Sequence, residues 1–250
     1  MTYAEFLVIF LIVPTIVLVG VIEWLGRRDG AQKTGRKYHR LGVSILTLIA
    51  FIWTTPWDNY LIATGVWDSP ADRIFFRVGY VPIEEYAFFV LMPIFNGAII
   101  FLLLNYSGLS VAKSTWRTKQ TKQRIALFLG GIFLQLGGWW LLRDPRGAYL
   151  GLILVWFTPP LMVQWLFDPT ALLRGKWFVV FGTLLPLLYF ALADRFAITQ
   201  GIWEVSERHT IGYGLPNLPL EEIVFFGVTS LLLAQGLVLW HSINPSKQAA

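Results

Sequence analysis

Seven long apolar stretches without charged residues constrain this chain more than any other feature of its sequence. A helix that crosses a membrane needs about 20 largely apolar residues, and each stretch is long enough for one crossing. Strands of a membrane barrel would be shorter and would alternate apolar with polar residues. The pattern therefore predicts an all-α, polytopic membrane protein with seven transmembrane helices, helix 1 to helix 7. The stretches are Phe6–Ile22, Leu41–Trp57, Tyr86–Ala112, Ile125–Leu142, Gly147–Phe167, Trp177–Ala193 and Ile223–Trp240.

Composition supports this class, because 56% of the residues are hydrophobic and only 14% are charged. Soluble domains contain about 25% charged residues. The chain has no cysteine, which excludes disulfides, thiolate metal sites and cysteine nucleophiles. Its first stretch follows Glu5 instead of a basic region, so we expect a transmembrane helix there and not a signal peptide.

The lysines and arginines are distributed unequally between the two sides of the predicted bundle. One side carries 14 of them, in residues 27–40, in residues 113–124 and at Arg174, Lys176 and Lys247. The positive-inside rule then predicts an integral protein of the cell membrane, with the N-terminus outside and the C-terminus in the cytoplasm. We interpret the net charge of +5 as this topology signal and not as a sign of nucleic-acid binding. The other six are Arg73, Arg77, Arg143, Arg146, Arg195 and Arg208.

The second half of the chain repeats polar and aromatic residues of the first half. The stretch "DNYLIATGVWD" at 58–68 matches "DRFAITQGIWE" at 194–204, and "VPIEEYAFF" at 81–89 matches "LPLEEIVFF" at 218–226. A membrane environment does not by itself demand matching acids, glycines and tryptophans, so the repeat indicates a duplication. The matched pairs are Asp58 with Asp194, Gly65 with Gly201, Trp67 with Trp203, Pro82 with Pro219, Glu84 with Glu221, Glu85 with Glu222, Phe88 with Phe225, and Phe89 with Phe226.

Helices 1–3 thus resemble helices 5–7, and Pro14 of helix 1 has counterparts in Pro159 and Pro160 of helix 5. Two three-helix units in direct tandem would have opposite orientations, and the intervening helix 4 gives both the same one. We therefore expect two parallel repeats related by an axis along the membrane normal. The predicted organisation is a first three-helix repeat at 1–112, a linking helix within 113–146 and a second three-helix repeat at 147–250.

The repeated glutamate pairs follow a proline and precede apolar sequence, which is typical of a helix start at a membrane surface. A helix start needs one acid, however, and each copy has two. Adjacent helical residues point about 100° apart, so at least one glutamate of each pair should face the interior of the bundle. Burial favours a neutral carboxyl group, whereas the helix N-terminus favours an ionised one. A buried pair could therefore donate a proton from one member and accept one at the other.

Aromatic side chains next to these acids suggest chemistry that passes through a carbocation. Glu84 shares a helix face with Phe88, and Glu85 shares one with Phe89. Aromatic faces stabilise positive charge, so the combination suggests proton-initiated chemistry on an apolar alkene.

The repeated aspartates, glycines and tryptophans allow two interpretations each. Asp58 and Asp194 are expected just after helices 2 and 6, either as polar membrane-exit residues or as partners of the glutamates. We favour a structural role for Gly65 and Gly201. The matched tryptophans could be interfacial anchors or lids over a pocket.

Each "PxEExxFF" copy follows a D-x6-G-h-W stretch, where h is an apolar residue. Together the two copies resemble the duplicated signature of the lycopene cyclases of the heterodimeric type. In that family two three-helix subunits combine, or occur fused in one chain with a linking helix. The fused, seven-helix form resembles this sequence over nearly its whole length.

The resemblance implies an isomerising cyclisation without net redox change. An acid protonates the terminal double bond of a linear carotenoid, the cation closes a six-membered ring, and a base removes a proton. The implied substrate is apolar lycopene, converted to β-rings and so to β-carotene through γ-carotene. No metal and no cofactor are implied, since the glycine fingerprint of the flavin-dependent cyclases is absent. The implied partners are the lipid bilayer and other enzymes of the carotenoid pathway.

The family motif places the proton donor among the four glutamates, with the two aspartates in support. The motifs are compatible with any of the glutamates as donor, with β- or ε-type rings, and with reaction at one end or both. The candidate catalytic residues are Glu84, Glu85, Glu221, Glu222, Asp58 and Asp194. The candidate substrate-binding residues are Phe88, Phe89, Phe225, Phe226, Trp67 and Trp203.

Two other functions fit parts of the pattern. A proton-coupled membrane transporter would also use parallel repeats with acids, although acids near mid-membrane would suit it better than acids at helix ends. A membrane prenyltransferase would bind diphosphate through Mg²⁺ and aspartate-rich helices. Asp68 and Asp72 have a suitable spacing, but Pro70 between them argues against a helix.

A retinal protein would need a lysine in the last helix, and residues 223–240 contain none. The three histidines, His39, His209 and His241, are too far apart in sequence to suggest a di-iron site.

Overall fold

The computed structural model describes residues 1–28, 33–107, 111, 113–114 and 120–244. It contains seven helices that are long and apolar enough to cross a membrane, which confirms the predicted fold class. Parts of the predicted basic segments, residues 29–32 and 115–119, and the tail residue Lys247 lie outside the described residues. The elements in chain order are α1 (Tyr3–Leu7), a π-helical turn (Val8–Ile12), α2 (Val13–Arg28), α3 (Lys33–Ala63), β1 (Trp67–Asp68), β2 (Arg77–Val78), β3 (Val81–Pro82), α4 (Ile83–Tyr106), α5 (Thr121–Leu141), α6 (Ala148–Phe167), α7 (Pro169–Arg174), α8 (Lys176–Thr199), β4 (Glu204–Val205), β5 (Gly214–Leu215), β6 (Leu218–Pro219) and α9 (Leu220–Ile243).

Helices α3 and α8 extend beyond the apolar stretches that predicted them, so Asp58 and Asp194 lie inside helices. Their expected position just after helices 2 and 6 was therefore wrong. Each helix ends instead at a glycine in the left-handed conformation, Gly65 with φ +72° and Gly201 with φ +61°. The N–H of each glycine bonds to the carbonyl three residues back, and the next N–H bonds to the carbonyl five residues back. This Schellman motif explains the repeated glycine, because an L side chain is disfavoured at that φ.

Three short strand pairs cover the end of the bundle at which these helices terminate. β2 pairs with β3, and β5 pairs with β6, each as an antiparallel hairpin in front of a long helix. β1 pairs with β4, with Trp67 opposite Val205, and so joins the two halves of the chain. Pro82 and Pro219 end the hairpins and are the N-cap residues of α4 and α9. The repeated sequences therefore come together at one end of the bundle.

The main core cluster lies beneath these hairpins, and α4 and α9 contribute repeated aromatic residues to it. Helix α5 lies at the edge of the bundle and packs on α6 through small residues. A side chain added at Gly138 would lie 3.1 Å from the carbonyl oxygen of Gly151, so the two backbones are in close contact, as is common between membrane helices. The six helical spans that carry the repeated residues therefore form the centre of the bundle.

Candidate functional site

The structure separates the two glutamates of each repeated pair. Glu85 and Glu222 line a shared cavity under the hairpins. Glu84 accepts a 2.8 Å hydrogen bond from the backbone N–H of Phe75, and Glu221 accepts one of 2.7 Å from Ile211. All four side chains are buried. The second glutamate of each pair thus faces the cavity, while the first holds the loop that leads into its own helix.

The two aspartates face the same cavity, and a tryptophan holds each of them in place. Trp67 Nε1 donates to Asp58 Oδ1 over 2.9 Å, and Trp203 Nε1 donates to Asp194 Oδ1 over 2.8 Å. The second oxygen of each aspartate has no hydrogen-bond partner in the described part of the chain. The tryptophans line the cavity themselves, so they orient the acids and also cover the pocket.

Two tyrosines complete the polar lining of the cavity, and the sequence analysis missed them. The hydroxyl of Tyr3 donates to Glu85 Oε2, and Tyr149 shares a side-chain hydrogen bond with Glu222. A signal for them was present, because each tyrosine lies 11 residues before a proline of the repeat, Pro14 or Pro160. Each half of the chain therefore supplies one aspartate, one cavity-facing glutamate, one tyrosine and one tryptophan that donates to the aspartate.

The cavity encloses about 50 Å³ and combines these polar groups with aromatic side chains. The Trp57 and Phe225 rings stack in its wall with centroids 5.4 Å apart. Within the described ranges, the four ion pairs involve other acids, so no positive side chain neutralises the cavity carboxyl groups. The lining residues are Tyr3, Trp57, Asp58, Trp67, Glu85, Phe88, Tyr149, Asp194, Trp203, Val205, Glu222, Phe225 and Phe226.

An apolar groove of about 450 Å³ adjoins the acid cavity and lies between α3 and α6, over α4 and α9. Phe88 and Phe225 line both spaces, so the groove and the cavity are direct neighbours. Phe89 lines the groove but does not line the cavity. Of the six predicted substrate-binding residues, five line the acid cavity and Phe89 lines only the neighbouring groove. The groove opens to the outer surface of the helix bundle along Ile49 and Val163, which are 54% and 69% exposed.

The combined space suits a long apolar molecule whose end reaches a set of acids. Four carboxyl groups buried together without a countercharge cannot all be ionised at acceptable cost. Neutral and ionised carboxyl groups side by side provide a proton donor and a proton acceptor. The aromatic faces around them can stabilise a transient cation.

The aspartates considered for diphosphate binding lie outside this space. Asp68 pairs with Arg77 over 2.7 Å, and Asp72 pairs with Arg73 over 3.7 Å, with acidic side chains that are 59% and 80% exposed. They lie in β1 and in the short 3-10 turn after it, and they do not line the cavity.

Sequence comparisons with known proteins find relatives of this chain. The family model described as "Lycopene cyclase" matches residues 1–103 and 147–240. The chain is 33% identical to the lycopene beta-cyclase of Halobacterium salinarum over 227 residues, which cover 91% of each protein. It is 30% identical over 205 residues to a bifunctional lycopene cyclase/phytoene synthase of Sporisorium reilianum, covering 79% of this chain and 30% of that protein. A bifunctional protein of the same description from Arthroderma gypseum is 29% identical over 219 residues, covering 80% of this chain and 36% of that protein. No solved structure matches the chain.

Proposed function

The chain belongs to the lycopene cyclase family, and we propose that it closes the linear end groups of lycopene into six-membered β-rings. The product is β-carotene, formed through the one-ringed γ-carotene. The observation that carries this proposal is the convergence of four buried carboxyl groups and several aromatic side chains beside an apolar groove. The name of the halobacterial relative, a lycopene beta-cyclase, supports the β-ring. Family membership also favours the cyclase over the transporter and prenyltransferase alternatives.

The reaction needs one proton at its start and releases one proton at its end. A neutral carboxyl group protonates the terminal double bond, and the resulting tertiary cation is attacked by the second double bond along the chain. A carbon–carbon bond then closes the ring, and the positive charge moves onto a ring carbon. Loss of a proton from the neighbouring carbon leaves the ring alkene. Atoms and electrons balance without a redox partner, since the proton taken from one carboxyl group is returned to another.

We assign the proton transfers to the four carboxyl groups that line the cavity, Asp58, Glu85, Asp194 and Glu222. Their proximity supports this assignment, because repulsion between them opposes simultaneous ionisation. Tyr3 and Tyr149 orient the two glutamates by hydrogen bonds. The remaining glutamates, Glu84 and Glu221, act as positioning residues that hold the loops over the cavity.

The aromatic residues have two roles in this proposal. Trp57, Phe88, Phe225 and Phe226 present ring faces or edges to the cavity, where a carbocation is stabilised by the electrons of the ring and shielded from water. Phe89 contributes to the groove that holds the polyene tail. Since the groove is open to lipid along one side, an apolar substrate can reach it from the bilayer.

We further propose a cell-membrane location with the N-terminus outside and the C-terminus in the cytoplasm. The unequal distribution of basic residues supports this orientation, which places the acid cavity at the outer end of the bundle. The absence of cysteine allows a direct test with single cysteines at two exposed positions. A membrane-impermeant maleimide should label Asp72→Cys in intact cells but should label Lys122→Cys only after lysis. The reverse result would require the opposite orientation.

The organisation into a first repeat at 1–112, a linking helix within 113–146 and a second repeat at 147–250 remains part of the proposal. It is supported by the family model, which matches two separate segments. Contact with other carotenoid-pathway enzymes is also proposed, and the bifunctional fungal relatives support it, because their names join a cyclase to a phytoene synthase.

The experiment that tests the function is expression in cells that accumulate lycopene, followed by chromatography of the pigments. Wild-type protein should convert lycopene to one-ringed and two-ringed products. The double variant Glu85→Gln/Glu222→Gln should leave lycopene largely unchanged, although the protein folds. The matched double variant Glu84→Gln/Glu221→Gln keeps an acceptor oxygen for each loop N–H and should retain conversion. Unchanged lycopene with wild-type protein would overturn the function, whereas full activity of Glu85→Gln/Glu222→Gln would overturn the assignment of these acids.

A further inference from the structure

The duplication provides a direct comparison between the two sides of the bundle. Residues of α3 correspond to residues of α8 at an offset of 136, since Asp58 matches Asp194. Residues of α4 correspond to those of α9 at an offset of 137, since Glu85 matches Glu222. The groove between α3 and α6 should therefore have a counterpart between α8 and α2, with each lining residue replaced by its equivalent in the other half.

The polar part of the site follows this symmetry. Asp58 bonds to Trp67 as Asp194 bonds to Trp203, and Tyr3 bonds to Glu85 as Tyr149 bonds to Glu222. The apolar part does not follow it. The groove between α3 and α6 has Thr54 and Leu232 in its lining, and the residues at the equivalent positions are Phe190 and Phe95.

Aromatic packing fills the counterpart position. The Phe95 ring lies 5.2 Å from that of Phe190 and stacks on Tyr189 at 4.8 Å. Phe190 also stacks on Phe226 at 5.7 Å and meets Phe88 at 5.9 Å. These separations are those of aromatic pairs in direct contact. Phe190 is 1% exposed and Phe95 is 4% exposed, so their side chains occupy the volume that the groove leaves open on the other side.

A second difference lies next to the acids themselves. Trp57 lines the acid cavity, and the equivalent residue before Asp194 is Ala193. The cavity therefore has two matching sets of acids, but its apolar walls differ between the halves. A substrate that enters through the one groove meets the two acid sets in different surroundings.

We propose that the polyene tail of the substrate binds in the groove between α3 and α6 only, and that Phe190, with Phe95 and Tyr189, closes the duplicated counterpart of this groove. This inference rests on the proposed function, and it identifies Thr54 and Phe190 as the pair of residues that decides which side accepts the tail. The occupant is a long linear polyene, because the groove is apolar and adjoins the acid cavity at Phe88 and Phe225. From Asp58 to Leu46 of the groove wall, α3 rises by about 18 Å, which suits an extended chain.

A single groove beside two sets of acids, one from each half of the chain, determines the order in which the two ends of the substrate react. Only one end group of the substrate can reach the cavity in a binding event, so the second ring requires release and reinsertion from the other end. The two acid sets consequently serve the same end group, one as donor and the other as acceptor.

The test introduces an aromatic side chain into the open groove, at the position equivalent to Phe190. In the variant Thr54→Phe, the ring should fill the groove as Phe190 fills its counterpart, and conversion of lycopene should fall by at least about tenfold. The control Phe190→Leu changes the closed side and should retain conversion. Both are purified in detergent to establish that they fold. If Thr54→Phe does not fold, Ala50→Phe introduces a ring into the same groove and takes its place.

A binding measurement separates this inference from the proposed chemistry. Purified protein is titrated with lycopene in detergent, and the shift of the polyene absorption bands reports binding. Glu85→Gln/Glu222→Gln should bind lycopene without converting it, whereas Thr54→Phe should not bind it. Folded Thr54→Phe that binds like wild type, or loss of binding in Phe190→Leu alone, would overturn the groove assignment. Failure of wild type to convert bound lycopene would instead overturn the proposed function and leave the groove assignment standing.

Discussion

Nδ1 of His39 lies 2.9 Å from Nε2 of His241, and the two imidazole rings stack with centroids 5.2 Å apart. Nε2 of His39 also lies 2.9 Å from the carbonyl oxygen of Gly97. Since a carbonyl can only accept, this arrangement assigns the hydrogen of His39 to Nε2, and Nδ1 accepts from His241. The pair therefore joins α3, α4 and α9 by hydrogen bonds.

Replacing His39 by alanine should lower stability without changing the product. The substitution leaves the Nε2–H of His241 buried without its partner, at a cost of about 1–3 kcal/mol. His39 is about 28 Å along α3 from Asp58, so the ring formed should stay the same. Thermal unfolding of the purified protein, followed by tryptophan fluorescence, measures the effect. His209→Ala, in the short 3-10 turn between β4 and β5, is the control, and equal melting temperatures of the two variants would contradict the structural role.

The repeated glycine at the end of α3 should be sensitive to substitution for a conformational reason. Gly65 has φ +72°, and a Cβ added there would meet no atom within 4 Å. Any loss of stability in Gly65→Ala must therefore come from the left-handed backbone, which costs an L residue about 1–2 kcal/mol.

Gly130→Ala is the matched control for this prediction, because Gly130 lies inside α5 with an ordinary helical φ and also has open space around it. Alanine is favoured in a helix interior, so this variant should be at least as stable as wild type. Thermal unfolding of both variants should show a lower melting temperature for Gly65→Ala alone. An unchanged Gly65→Ala would argue against the Schellman motif as the reason for the repeat.

The two glutamates of one pair should respond differently to the same substitution. Glu84→Gln keeps an oxygen that can accept from the Phe75 N–H, so conversion of lycopene should remain close to wild type. Glu84→Ala removes that acceptor and should loosen the loop, with a loss of about 1–3 kcal/mol in stability. Glu85→Gln should lower conversion with little change in stability. Pigment chromatography and thermal unfolding on the same preparations separate the two effects, and inactive but stable Glu84→Gln would instead identify Glu84 as a proton carrier.

Much of the fold follows from local rules that the sequence makes visible. The length of an apolar stretch determines whether it can cross a membrane, and the matched acids and tryptophans indicate which residues meet. Asp58 and Asp194 were nevertheless placed outside their helices, because the apolar stretch ends before the helix does. Gly65 marks the true end, seven residues after Asp58, since the repeated glycine has the left-handed conformation of a helix C-cap.

Tertiary packing decided what the sequence left open. Helical geometry requires that Glu84 and Glu85 point in different directions, but the contacts of α4 determine which one faces the cavity. The open groove could not be predicted either, because it depends on the difference between Thr54 and Phe190 at positions that the repeat makes equivalent. Such differences are visible in a sequence comparison, yet their meaning depends on which side chains pack together.

The hydrogen bond from Trp67 Nε1 to Asp58 Oδ1 holds a cavity acid in place. Asp58 is 3% exposed, and its other oxygen has no partner in the described ranges. Trp67→Phe keeps an aromatic ring over the cavity but removes the only described donor to this carboxyl group. A buried acceptor without its donor costs about 1–3 kcal/mol, and the carboxyl group is also free to rotate. If this cost falls on the transition state, conversion of lycopene should decrease by about 5- to 160-fold.

Trp139→Phe provides the control for Trp67→Phe, because Trp139 is 60% exposed on the outer helix α5 and lies outside both the cavity and the groove. Its activity should match wild type. Lycopene binding, measured by the polyene absorption bands, should be similar in both variants, since the tail lies in the groove and Trp67 does not line it. A decrease in binding with unchanged turnover of bound lycopene would show that Trp67 acts on the substrate and not on Asp58. A decrease in turnover with unchanged binding is expected if the tryptophan holds an acid that transfers a proton.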